Sequence, residues 1–98
     1  MFIKIHKAYR DVVAICDSNL IGKKFEDGSR QLEVKEKFFK GEEKTEKEVI
    51  KLIERLSESD ATFNIVGKSS CEAAIKAGIV SKEEIKTIKK IPFALVLL

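Results

Sequence analysis

Ninety-eight residues, 44% hydrophobic and 36% charged, describe one small domain spanning 1–98, with a single core and a densely charged exterior. A chain of this size buries roughly 60–65% of its unfolded surface, which leaves no room for a second catalytic lobe. Two distant cysteines, one histidine and no apolar run near the roughly 20 residues of a membrane span argue against a disulfide framework, a structural zinc site and a membrane helix. The expected setting is therefore a reducing cytoplasm, and the Lys/Glu-rich composition leans toward that of proteins from hot environments. The net charge of +3 is unevenly spread. Residues 1–40 carry nine Lys/Arg against six Asp/Glu, residues 41–60 four against seven, and residues 61–98 six against three.

In chain order, residues 2–7 and 12–16 are β-rich runs around Ala8-Tyr9-Arg10-Asp11, which predicts a hairpin. A loop of about two or four residues centred on Tyr9-Arg10 sets Cys16 opposite Ile3 and His6 opposite Val13. In that register Cys16 joins Ile3, Ile5, Val12 and Ala14 on the core face, and His6 points the other way. Asp27-Gly28 marks a turn, and Leu32 and Val34 alternate with polar residues as a half-exposed strand. Thr45-x-x-Glu48 is a capping box ahead of a helix with Val49, Leu52, Ile53 and Leu56 on one face. Phe63–Val66 reads as a short strand. Ser69-x-x-Glu72 predicts a second helix that stops at Gly78, and Ser81-x-x-Glu84 a third, short one. Phe93–Leu98 is an uninterrupted apolar strand behind Pro92. The order ββ(β)αβααβ is α/β or α+β: a mixed sheet of about four to five strands, opened by a hairpin and packed with two or three helices. Ile3, Ile5, Val12, Ala14, Cys16, Leu52, Ile53, Leu56, Phe63, Ile65, Leu95 and Leu97 form the expected core.

Phe63-Asn64-Ile65-Val66-Gly67-Lys68-Ser69-Ser70 has the tail of a phosphate loop. Such a loop also needs a glycine five residues before Gly67, where the backbone curls its N–H groups toward the phosphates. Thr62 stands there, inside a β-rich run, so no nucleotide and no cofactor is expected. The plainer reading has Gly67 easing the turn, Ser69 capping the helix and Lys68 solvated. An exposed helix start with a neighbouring lysine still leaves a weak anion site at Gly67, Lys68, Ser69 and Ser70, with Gly22 and Lys23 as a second Gly-Lys turn. Cys71, near that helix start, is the stronger thiolate candidate, and Cys16 reads as core. No catalytic residue and no metal ligand set emerges.

The stretch Lys35–Lys40 places Lys35, Lys37 and Lys40 around Phe38-Phe39. Aromatic rings between lysines can stack on unpaired bases while the lysines meet phosphate. Lys86, Lys89 and Lys90 form a second basic group, close to Lys23-Lys24 if the sheet brings them together. On a strand, adjacent phenylalanines cannot both face the core, which leaves one exposed.

The motif Cys16-Asp17-x-x-Leu20-Ile21-Gly22-Lys23 resembles the central motif of the archaeal domain of unknown function 424 family. Leu32-x-Val34, Phe38-Phe39-x-Gly41, Asn64–Gly67, Ala73 through Ala77-Gly78, and Pro92 before a terminal strand follow in the family's order, so the resemblance covers nearly the whole chain. It implies a small archaeal cytosolic protein and brings no substrate or catalytic residues. Where the family often carries a histidine after the proline, this chain has Phe93.

Three readings follow. The first is a non-catalytic binding module for RNA or a ribonucleoprotein, through Lys35, Lys37, Phe38, Phe39, Lys40, Lys86, Lys89 and Lys90. The second is a domain that binds another protein or a second copy of itself through the apolar terminal strand. The third is a small-anion binder or enzyme built on the Gly-Lys turns and Cys71.

Overall fold

The computed structural model describes residues 1–98. Strand β1 (Phe2–His6) turns back through residues 7–11 into β2 (Val12–Cys16). The pairs are Phe2 with Cys16, Ile3 with Ile15, and so on to His6 with Val12. The expected register is therefore off by one. The loop is longer than a tight turn, and Asp11 holds it by accepting from the Ala8 N–H at 3.4 Å and the Lys7 ammonium at 3.2 Å. A one-residue slip exchanges the faces of a strand, so His6 and Cys16 share a face, and Ile3 and Ile5 lie on the other.

A 3-10 turn (Ser18–Leu20) leads to β3 (Lys24–Asp27) and β4 (Arg30–Glu33), a separate two-stranded hairpin turned at Gly28 with φ +64°. Helix α1 (Glu36–Phe39) is a single turn, followed by β5 (Glu42–Glu43) and α2 (Glu46–Ser57). The Thr45–Glu48 capping box forms as expected, with the Glu48 N–H donating to Thr45 Oγ1 at 3.3 Å and the Thr45 N–H to Glu48 Oε1 at 3.0 Å; such a cap contributes about 1 kcal/mol. Then come β6 (Thr62–Val66), α3 (Lys68–Lys76), β7 (Lys86–Ile88) and β8 (Ile91–Leu97). The third expected helix is only a 3-10 turn, Lys82–Glu84, because its capping box forms but the chain enters β7 at Lys86.

The main sheet has six strands in the order β5-β1-β2-β6-β8-β7, so the fold is mixed α+β. Its two outer strands, β5 and β7, are the short ones that carry no apolar pattern of their own. Every pairing is antiparallel except β2 with β6, which matches Cys16 to Val66. One face packs on α2 and α3, with Val13, Ile15, Phe63, Ile65, Ala94 and Val96 meeting Val49, Ile53, Ala73 and Ala74. The other face is covered at one end only, where Ala14, Cys16 and Val66 meet Leu20, Val34 and Phe39.

Of the expected core, Ile3, Ala14, Cys16, Ile53, Phe63 and Ile65 are buried, and Val12, Leu52 and Leu56 half-buried. Ile5 is exposed, and β8 runs in the opposite phase, with Leu95 61% and Leu97 69% exposed. An unbroken apolar run carries no alternation to set its phase. The pairing sets it instead, placing Ala94 beside Ile65 and Val96 beside Phe63 on the helix side.

Candidate functional site

At the end of β6 the backbone turns through Gly67 (φ +111°, ψ 156°) straight into α3. The expected Ser69 cap does not form; Gly67 is the N-cap residue and offers no side chain. The Asp17 carboxylate does the capping from a distance. It accepts from the Ser69 N–H at 3.2 Å, the Ser70 N–H at 2.8 Å and Ser70 Oγ at 2.7 Å. The parallel pairing of β2 and β6 puts it there, since the Asp17 N–H donates to Val66 O at 3.0 Å, just beyond the Cys16–Val66 pair. The anion site expected at Gly67, Lys68, Ser69 and Ser70 is thus occupied by the chain's own carboxylate, whose charge suits the positive end of the helix. Gly22 and Lys23 do not complete it. Their backbone groups bond Val34 and Leu20 in a separate turn, with Gly22 at φ +80°.

Both cysteines are buried on either side of this cap. Burial, with the Asp17 carboxylate adding to it, pushes each thiol up to about 12. A thiol so shifted is neutral at physiological pH, which removes the nucleophile suggested for Cys71. His6, although on the same sheet face as Cys16, is held elsewhere. Its Nε2 lies 2.8 Å from Phe38 O, and its ring stacks on Phe38 at 4.6 Å.

The partly covered sheet face offers a different surface. Opposed residues share a face, so rows run across the strands: His6, Val12, Thr62 and Leu97, then Lys4, Ala14, Asn64 and Leu95, then Phe2, Cys16, Val66, Phe93 and Lys86. Helix α1 and the β3–β4 hairpin roof the last row and part of the middle one. Between roof and sheet lies an open groove of about 340 Å³, walled by Leu32, Glu33, Phe38 and Phe39 and floored by Asn64, Phe93 and Leu95. Adjacent Phe38 and Phe39 diverge because they sit on a helical turn instead of a strand. Phe39 is buried and therefore drops out as a stacking ring; Phe38 is half-exposed, with one ring face against His6. Phe93, not among the expected site residues, also lines the groove and is half-exposed. The family resemblance marked its position after Pro92, and the strand register brings it to the groove.

The two basic groups flank this face. Lys35, Lys37 and Lys40 are exposed on and around α1, which is tied to β1 through Lys4 Nζ donating to Lys37 O at 2.7 Å; Lys40 makes a loose exposed pair with Glu36 at 3.8 Å. Lys86, Lys89 and Lys90 are exposed on the far edge, where Arg30 Nη2 donates to Thr87 O at 3.0 Å and joins the β3–β4 hairpin to β7; Lys24, on that hairpin, pairs with Glu26 at 3.2 Å. The acidic helix α2 packs on the opposite face of the sheet.

Lys89 (φ 50°) and Lys90 (φ 66°) form the whole of the β7–β8 turn, both left-handed. Two-residue turns of this kind favour Asn-Gly, and a left-handed side-chain residue costs about 1–2 kcal/mol. Replacing the pair by K89N and K90G is expected to raise stability by about 1–2 kcal/mol, read as a higher urea midpoint at unchanged slope. No rise would mean that the turn is unstrained.

Residues 6–98 match the family described as "Protein of unknown function (DUF424)". No curated protein matches the chain. A crystal structure described as that of an uncharacterized conserved protein from Methanopyrus kandleri superposes with a TM-score of 0.85 at 24% identity, covering 98% of this chain and 90% of that one. At that identity the likeness establishes the fold.

Proposed function

The chain belongs to the DUF424 family, and within it we propose that this protein is a non-catalytic binding module for single-stranded RNA. The observation that carries the reading is the groove on the open sheet face, with Phe38 and Phe93 along it and a lysine group on each side. Unpaired bases offer a flat face to an aromatic ring, worth about 1–3 kcal/mol per base, and lysines meet the backbone that joins them. Phe38 can stack on one side only, because His6 covers the other. Asn64, on the groove floor, supplies both a donor and an acceptor for a base edge. Lys35, Lys37 and Lys40 take phosphates on one flank, and Lys86, Lys89 and Lys90 on the other. Strain at Lys89-Lys90 supports the assignment: a turn that would be more stable without lysine keeps two of them, and such strain gathers at working sites.

Fluorescence anisotropy with a mixed-sequence single-stranded RNA tests this. Binding is expected in the micromolar range at physiological salt, weakening by roughly tenfold or more between 50 and 200 mM as several phosphate contacts are screened. The K37E/K40E pair should weaken all sequences alike, and single strands should outcompete duplex RNA, whose bases are stacked away. No binding at protein concentrations up to about 100 μM in low salt, well beyond ordinary non-specific affinities, rules the reading out.

A further inference from the structure

Strand β8 is paired with β6 along Phe93–Leu97, but on its other side β7 reaches only Ile91–Phe93. From Ala94 to Leu97 the outer edge has no strand beside it. The Gly67 N–H donates to Pro92 O at 2.8 Å, and this sets the alternation of the antiparallel ladder. Ala94 and Val96 turn their backbone groups toward β6, whereas Leu95 and Leu97 turn theirs outward. Natural sheets blunt such edges with lysine, proline or a bulge. Here the proline lies in the covered part, and Ala94-Leu95-Val96-Leu97 has no such device. The side chains of Leu95 and Leu97 are 61% and 69% exposed on the open face.

We propose that this edge pairs with the same edge of a second copy of the chain, antiparallel, about a two-fold axis at Val96. Leu95 then faces the partner subunit's Leu97, and Leu97 faces the partner subunit's Leu95. Both are outward-bonding positions, so two ladder pairs close at once, and the four leucines meet on one face. A two-fold contact must be complementary to itself, and this stretch is, in register and in charge. No ionisable side chain lies on β8. The nearest charged side chain on the neighbouring strand, Lys86, sits opposite Phe93, so the two copies of Lys86 stand about 20 Å apart along the strands, beyond the roughly 8 Å screening length of physiological salt. Pairing of this kind joins two six-stranded sheets edge to edge and sets their open faces side by side. It shares Leu95 with the floor of the groove, but association of the chain with itself is read without RNA.

Sedimentation equilibrium of the whole chain tests the proposal. Twice the 11.1 kDa chain mass is expected at about 100 μM. L95K/L97K, changed at exposed positions, should keep its circular dichroism spectrum and dissociate about tenfold or more easily, because lysine then opposes lysine twice. L95K/L97E should restore the doubled mass, since this register sets each introduced lysine against an introduced glutamate. A wild-type mass of 11.1 kDa, including capture of a foreign strand without self-association, overturns the proposal. So does a doubled mass that L95K/L97K leaves intact, or a failure of L95K/L97E to restore it.

Discussion

Replacing Gly67 with alanine should lower stability by about 3 kcal/mol or more, a fall of at least 12 °C or so in the melting temperature of a domain this size. Two independent causes add. The backbone at Gly67 lies at φ +111°, ψ 156°, a region that side-chain residues essentially avoid. A Cβ there would also stand 2.6 and 2.7 Å from the two carboxylate oxygens of Asp17, inside van der Waals contact. The carboxylate cannot retreat without abandoning Ser69 and Ser70. Gly78 supplies the control: it too is left-handed, at φ +81°, but a Cβ there meets nothing within 4 Å. Gly78→Ala should therefore cost only the conformational part, about 1 kcal/mol. D17A loses three hydrogen bonds at the start of α3, and D17A/G67A should cost less than the sum of the single changes because the collision is gone. Urea unfolding of the four variants decides the matter. Equal losses for G67A and G78A would show that Asp17 does not fill the turn.

The second large effect is an alkaline one. Cys16 and Cys71 are held up to about 12 in the folded chain against an ordinary 9.0. The stabilisation that goes with a raised value is complete below pH 9. Above it the unfolded chain releases thiol protons that the folded chain still keeps, so stability falls as pH rises toward 12. The slope is about 1.4 kcal/mol per pH unit for each cysteine that is ionised in the unfolded chain and still protonated in the folded one. Urea midpoints at pH 8, 9, 10 and 11 should therefore drop steeply above 9. The C16A/C71A variant starts lower, having lost packed sulfur, but should lose stability less steeply with pH. Parallel slopes in the two proteins would refute the assignment. Below pH 9 both native thiols should resist alkylation until denaturant is added.

The capping boxes at Thr45 and Ser81, the hairpin, the helix over Val49–Leu56 and the strand at Phe63–Val66 were legible because each rests on neighbours in sequence. What was not legible is set by partners far along the chain. The hairpin register depended on how Asp11 organises its loop, and the phase of β8 on its match to β6. The true cap of α3 comes from Asp17, and no local pattern ties that residue to Ser70. The same holds for the groove. Its lysines and Phe38 were visible as a cluster, but Phe93 and Asn64 join them only through strand pairing, and Phe39 leaves for the core because the segment turns as a helix.

The parallel match of β2 with β6 has a kinetic consequence. Its partners lie 50 residues apart, farther than those of the other pairings in the six-stranded sheet, so it waits until residues 17–61 have looped back, and closing so long a loop is slow because its entropy must be lost before any contact rewards it. Until then the β1–β2 hairpin and the segment from β6 to β8 can form only as separate halves, each with apolar strand surface uncovered. The rate-limiting event of folding should accordingly be the meeting of those halves, with Asp17 expected to reach Ser70 only after they meet.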